Sequence, residues 1–180
     1  METERELLDA IHSGDRQALR RLYDRYSGYA LAIGHRYIPD SEDVKDVLQE
    51  SFVRIFTSIG EFDYHGEGSL KSWVGRIVIN RSIDWVRVNE RMHFSDNLPE
   101  EVAEDPPDVD DVPPEVLNRM IGRLPAGYRL VLNLHVFDHL SHTEIARRLG
   151  IQENSSASQY SRAKRLLTEM IQEYLKSQRI

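Results

Sequence analysis

The sequence predicts an all-α protein: two small helical domains joined by an acidic, proline-rich linker, with a helix-turn-helix in the C-terminal one. Three observations predict it. Apolar residues recur at helical spacing in eight segments, and strand-like alternation is sustained nowhere. The stretch Asp96 to Pro114, DNLPEEVAEDPPDVDDVPP, separates these segments into two groups of four and carries five prolines. The third segment of the second group opens on a capping signature and ends on glycine, followed at once by another helical pattern.

Residues 1–95 form the first domain, with helices near 3–13, 15–37, 41–59 and 69–90. Gly14-Asp15 separates the first two. Pro39-Asp40-Ser41 breaks the second from the third, and Asp40 or Ser41 can cap the next helix. Gly60 ends the third, and Glu61–Ser69, containing Gly66 and Gly68, reads as a loop. Residues 96–113 read as a flexible linker whose like charges repel and extend it. Residues 114–180 form the second domain, with helices near 114–123, 126–138, 141–149 and 153–176. Ser141 with Glu144 is a capping box, and Gly150 makes the turn before the last helix.

Composition excludes several classes. The chain has 180 residues, 40% hydrophobic and 29% charged, and no cysteine, so disulfides and thiol-ligated metals are ruled out. No apolar run is long enough to span a bilayer, and the polar, acidic N-terminus is neither secretory signal nor basic transit peptide. Cytoplasmic residence is the expectation. The net charge of −7 is unevenly spread: residues 1–95 carry −3, residues 96–115 carry −9 and residues 116–180 carry +5. A basic half behind an acidic connector points to nucleic acid. It also points to a free chain held compact or covered by a partner.

Three surfaces stand out. In the third helix Val44, Val47, Leu48, Ser51, Phe52, Ile55 and Ile59 share the core side, while Asp46, Gln49, Glu50 and Val53 face away. On spacing alone this face is either a partner surface or an exposed valine. In the fourth helix Leu70, Val74, Ile77, Val78, Trp85 and Val88 fall inward; Arg76, Asn80, Ile83, Arg87 and Arg91 fall outward. Guanidiniums suit phosphates and an amide can read a base edge, though a solvated basic face has the same pattern. Arg81, within the apolar face, requires an acid partner or a path to solvent. The loop before this helix offers Phe62, Tyr64 and Ser69 beside flexible glycines, which suits an unstacked base. In the last helix Ser156, Tyr160, Ala163, Leu167, Met170 and Tyr174 point inward. Asn154, Ser155, Ser158, Ser161, Arg162 and Arg165 point outward, a small polar face with arginines one turn on that fits a major groove.

Enzymatic readings find no support. His135, His139, His142 and Glu144 lack metal-ligand spacing, Asp105–Asp111 lacks the pattern of a calcium loop, and no phosphate-cradling glycine loop or nucleophile elbow is present. No enzyme, cofactor, metal or small-molecule substrate is expected.

Four blocks, in order, resemble the extracytoplasmic-function sigma factors. Asp46-Val-Leu-Gln-Glu-Ser-Phe-Val53 resembles the family's polymerase-binding motif. FDYHGEGSLKSWVGRIVINRSIDWVR, Phe62 to Arg87, resembles its promoter-melting and −10-reading segment. Leu124–Leu132 with Leu140–Ile151 resembles its −35-reading domain, and GDRQALRRLYDRY from Gly14 completes the likeness. The resemblance implies a subunit that directs RNA polymerase to promoters and assists their opening. By position, Asp46, Gln49, Glu50 and Val53 would meet the clamp helices of the largest polymerase subunit. Phe62, Tyr64, Ser69, Lys71, Arg76, Asn80 and Arg87 would contact the −10 element. Ser155, Ser158, Gln159, Arg162 and Arg165 would contact the −35 element. It further implies contact with the polymerase flap and an anti-sigma factor, and no membrane insertion. Asn154-Ser-Ser-Ala-Ser-Gln159 departs from the common Gly-Thr-Val-Lys-Ser-Arg and resembles the Bacteroidetes branch; Ala157 and Gln159 replace two basic residues. The same helix-turn-helix also fits a transcription regulator that binds operators without polymerase, but such a protein needs neither the 46–53 block nor the basic helix.

Overall fold

Short polar side chains cap helices at Thr3, Asp40 and Ser141, and prolines stand at the start of two more, at Pro113 and Pro125. The computed structural model describes residues 2–90 and 111–178, and these fall into two units, Met1–Val88 and Asn89–Ile180. Every regular element among the described residues is helical, as the sequence predicts. No described helix is long and apolar enough to cross a membrane.

In the first unit α1 spans Glu4–His12, α2 Ala18–Tyr37, α3 Ser41–Ser58 and α4 Ser69–Asn89, with a single 3-10 turn at Ile59–Glu61. Thr3 caps α1 through a capping box with Glu6. Asp40 caps α3, its Oδ1 accepting the amides of Glu42 at 2.8 Å and Asp43 at 3.1 Å. α2 begins at Ala18 rather than near 15. Asp15 diverts the chain: its Oδ1 accepts the Gln17 amide at 2.9 Å, and its carbonyl accepts that of Ala18. The core gathers Leu7, Leu22, Tyr26, Ile33, Tyr37, Val44, Phe52, Ile55, Leu70, Val74 and Val78. At Gly75 α4 lies close against α2; a β-carbon there would stand 2.7 Å from the Tyr29 hydroxyl.

In the second unit α5 spans Pro114–Gly122, α6 Ala126–Val136, α7 His142–Leu149 and α8 Glu153–Gln178. The predicted capping box is present, with Ser141 accepting the Glu144 amide and Glu144 reaching back. Gly150 adopts the left-handed conformation, φ 68°, that ends α7. α6 ends two residues earlier than the spacing predicts, because His139 takes φ 55° and folds the chain back, the Leu140 amide bonding to the Leu134 carbonyl. Ile121, Leu124, Leu132 and Ala163 form one core cluster, flanked by Tyr160, Leu167 and Met170. Val112, within the predicted linker, is buried against Met120 and Ile171. The second unit's packing therefore reaches back past Pro114. Residues 96–110 of that linker lie outside the described residues.

Candidate functional site

The α3 face is built as its spacing predicts. Val44, Val47, Phe52, Ile55 and Ile59 are buried, as is Ser51, whose hydroxyl donates to the Val47 carbonyl at 2.7 Å; Leu48 is half-buried. Asp46, Gln49, Glu50 and Val53 are exposed, Val53 to 59%. Gln49 and Val53 stand on a ridge between two grooves. One is largely apolar, lined by Tyr23, Leu31, Leu48, Phe52 and Phe56. The other holds Glu50, Arg54, Thr57 and Arg81. Arg81 is paired with Glu50, the acid partner that its place in an apolar stripe requires.

The wheel of α4 is rotated from the sequence reading. Leu70, Val74 and Val78 are buried as expected, but the stripe continues through Ser82, Ile83 and Val86. Ile83, expected outward, is 3% exposed; Val88, expected inward, is 83% exposed. Trp85 and Ile77 are half-buried. The buried positions follow every fourth residue from Leu70, so the face precesses along the helix and carries Val88 out. Arg76, Asn80 and Arg87 are exposed on one helix; Arg91 lies outside the described residues.

The loop leading into α4 is held from a distance. Gly68, φ 92°, precedes the helix and offers no side chain to cap it. Glu4, on the first turn of α1 and 2% exposed, supplies the missing acceptor. Its Oε2 accepts the amides of Gly68 at 2.9 Å and Leu70 at 3.0 Å; its Oε1 accepts that of Lys71 at 3.0 Å. The Tyr26 hydroxyl donates to Oε1 at 2.7 Å. Burial pushes the Glu4 carboxyl up, but the bonds from Tyr26, Leu70, Lys71 and Gly68 outweigh it and hold the group below the usual carboxylate range. Glu67 of the loop returns the favour to α1, accepting the Glu4 amide at 3.1 Å, and is itself paired with Arg25 at 3.2 Å.

On this frame Phe62 packs against Trp73, ring centroids 5.1 Å apart. The two line a hollow with Asp63, His65, Ser69, Ser72 and Arg76. The Ser69 hydroxyl donates to the Gly66 carbonyl at 2.6 Å. Tyr64 is half-buried, and the Lys71 ammonium lies over the Tyr29 ring at 4.8 Å. The structure thus brings Phe62, Ser69 and Arg76 to one hollow, with Asn80 one turn beyond Arg76. The sequence reading missed Glu4 altogether. A polar residue early in α1 carries no local signal of an acceptor for a helix more than sixty residues away.

The start of α8 departs from expectation. Ser156 and Ala163 are buried as predicted. Ser155 and Ser158, expected on the outer face, and Gln159, which the resemblance sets against the −35 element, are buried too, at 2%, 0% and 0% exposure. At about 100° per residue, these positions and Ser156 spread over roughly 160° of the wheel, wider than one packing face. Short hydroxyl side chains permit that enclosure, since they let neighbours approach the backbone closely on either side. Ser161 and Arg162 are half-buried, and Asn154 and Arg165 are exposed. Arg165 lies 3.8 Å from Glu169.

Behind this segment, His135 and His142 stack with centroids 4.6 Å apart and an interplanar angle of 11°. His135 Nδ1 donates to the Leu140 carbonyl at 2.8 Å. His142 Nδ1 pairs with the Ser156 hydroxyl at 3.0 Å, and Tyr160 packs edge-on against His135. Burial, and then the neighbouring His135, hold His142 below the usual imidazole range. Among the described residues no group of three or more potential ligands could hold a metal ion.

Residues 22–92 match the sigma-70 region 2 family model, and residues 115–167 match that of sigma-70 region 4. The chain is similar to the ECF RNA polymerase sigma-E factor of Haemophilus influenzae, 26% identical over 184 residues that cover 94% of this chain and 96% of that one. It is similar also to the RNA polymerase sigma-H factor of Pseudomonas aeruginosa, 25% identical over 189 residues, 97% of each. Among solved structures it resembles CnrH, determined in complex with the cytosolic domain of CnrY: 24% identity, 94% of this chain and 97% of that one, TM-score 0.47.

Proposed function

Because the chain belongs to the extracytoplasmic-function sigma factors, non-enzymatic subunits that direct RNA polymerase to promoters, we propose that its two domains divide the work by surface. Residues 1–95 bind core polymerase and the −10 element, residues 114–180 bind the −35 element, and residues 96–113 link them. Asp46, Gln49, Glu50 and Val53 meet the clamp helices of the largest subunit. The observation that carries this is the ridge of Gln49 and Val53 between an apolar and a charged groove, with Val53 59% exposed. A single exposed valine is ordinary, but one that continues an apolar groove offers a partner contiguous apolar surface to cover. Replacing Gln49 and Val53 with lysine lowers affinity for core polymerase at least tenfold and leaves helicity unchanged. Pull-down at wild-type affinity overturns the assignment.

Phe62, Tyr64, Ser69, Lys71, Arg76, Asn80 and Arg87 capture the −10 element, with an extruded base taken into the hollow beside Phe62 and Trp73. Ser155, Ser158, Gln159, Arg162 and Arg165 read the −35 element once the start of α8 is uncovered. The second domain also meets the polymerase flap. Ala157 and Gln159, where many members carry basic residues, leave the helix with fewer phosphate contacts, as in the Bacteroidetes-like variant. The split between a +5 half and an acidic remainder supports an anti-sigma partner, and membership of the sigma factors supports residence in the cytoplasm.

A further inference from the structure

We infer that Glu4 is a positioning residue for promoter opening: from α1 it caps α4 across the fold and fixes the entry of the base-capturing loop. The inference rests on the assignment of loop 62–69 and α4 to the −10 element.

The first amides of a helix have no intrahelical acceptor, and the residue just before the helix ordinarily supplies one from its own side chain. In α4 that residue is Gly68, whose φ of 92° turns the loop sharply and whose side chain is a hydrogen. The amides of Leu70 and Lys71 are those a local cap would satisfy, and both bond to Glu4, as does the Gly68 amide itself. One carboxylate therefore fixes both the glycine turn and the first turn of α4. Its negative charge at a helix N-terminus adds a favourable dipole interaction.

The bond from Tyr26 and the burial of the carboxylate hold the acceptor in place. The exchange is reciprocal, because loop residue Glu67 accepts the Glu4 amide and is steadied by Arg25. The loop and the start of α1 thus cannot move independently. Ser69, whose hydroxyl closes the loop onto the Gly66 carbonyl, and Tyr64, whose hydroxyl lies 3.5 Å from Glu67, inherit their places from this exchange. A base pocket needs such a frame, because a loop that must order itself around each extruded base loses affinity to that ordering.

The test uses the full chain with core polymerase. Glu4→Gln keeps the shape but loses the charge and one acceptor oxygen. Glu6→Gln is the control, since Glu6 caps only α1. Amide exchange in the free chain is read at Gly68, Leu70 and Lys71, and permanganate footprinting reads promoter opening. Core affinity and binding to −35 duplex are measured alongside. Glu4→Gln is expected to speed exchange at the three amides at least tenfold. Opening falls about tenfold, while core and duplex binding stay within twofold; Glu6→Gln opens promoters as the wild type does. Unchanged exchange at those amides, wild-type opening by Glu4→Gln, or an equal loss of opening and duplex binding overturns the inference. Asn80→Ala in the same assay keeps the two readings apart. If it is impaired and Glu4→Gln is not, only the role of Glu4 fails; if Asn80→Ala opens normally, the −10 assignment fails.

Discussion

Two helices of this sigma factor begin segments assigned to DNA, and they are capped in opposite ways. α7 is capped by its own chain: Ser141 and Glu144 satisfy each other's amides across three residues. α4 follows a glycine and borrows its acceptor from Glu4, more than sixty residues earlier. A local cap lets a helix-turn-helix form from contiguous sequence, so its geometry depends little on the rest of the fold. A distant cap makes the −10 loop contingent on the folding of α1. The first arrangement suits a module that docks as a rigid piece, and the second suits a loop whose shape is set by the whole domain.

The largest effect that separates the two caps is on stability. Glu4→Ala leaves three backbone amides and the Tyr26 hydroxyl without their acceptor in a buried place. An unsatisfied buried donor costs about 1–3 kcal/mol, so the loss is on the order of 3 kcal/mol after some amides find water. Both tryptophans of the chain, Trp73 and Trp85, lie on α4, so their fluorescence reports on that helix. Denaturant titration read by tryptophan emission should show the loss. An unfolding midpoint equal to that of the wild type would mean that α4 does not depend on Glu4.

Next comes the division of labour on DNA. Arg165→Ala should weaken binding to −35 duplex by about 1–3 kcal/mol if the arginine grips a guanine edge. A phosphate contact alone would lower affinity evenly across sequences and flatten its salt dependence. The 3.8 Å pairing of Arg165 with Glu169, both well exposed, is too weak to withhold it from DNA. Asn80→Ala should spare duplex binding and impair capture of the unpaired −10 strand. Fluorescence anisotropy on duplex and footprinting of the opened promoter measure the pair. The division fails if Asn80→Ala opens promoters normally while Arg165→Ala binds duplex normally.

The same contrast governs what the sequence makes legible. Local signals read true: the Ser141–Glu144 box, the cap at Asp40, the turn at Gly150 and the exposed strip of Asp46, Gln49, Glu50 and Val53. The eight α-helices among the described residues lie close to their predicted spans, and the family resemblance supplied the function. Signals that depend on what packs against a helix do not read. Ile83 and Val88 exchanged places because the buried stripe of α4 precesses, and an ideal wheel drawn from Leu70 and Trp85 misplaces it. The spacing sets Ser155 and Ser158 outward, yet small side chains also suit close enclosure, and both are buried. Glu4 was invisible for a similar reason, since a through-space acceptor has no spacing.

A smaller effect concerns the local cap. Ser141→Ala removes the hydroxyl that accepts the Glu144 amide at 3.2 Å. The loss is about 1 kcal/mol, confined to the second unit. Tryptophan emission should therefore be unmoved, while amide exchange at Ile145 and Ala146 accelerates. A shift in the tryptophan transition would show that the two caps are not independent.

The smallest effect is pH dependence, and it distinguishes the units by window. Glu4 has a carboxyl held below its ordinary value of 4.5. The unfolded chain therefore binds more protons than the folded one as acid is added. Its contribution is complete above about pH 4.5 and is lost as pH falls further. His142 follows the same sign from a higher starting point. Its folded value lies below 6.5, because burial and the stacked His135 disfavour the charged ring, against a smaller opposing pull from Glu153. The folded second unit prefers the neutral imidazole, so its contribution is complete above about pH 6.5 and declines below it. Protonation would set a charged ring against its stacked neighbour and against the Ser156 contact that ties α7 to α8. Between pH 6.5 and 5, the protection of α7 and α8 amides, relative to the intrinsic exchange rate at each pH, should fall while tryptophan emission from α4 stays constant. His142→Phe, which keeps a ring against His135 and Tyr160 but cannot take a proton, should flatten that dependence. A slope retained in His142→Phe would place the sensitivity elsewhere in the second unit.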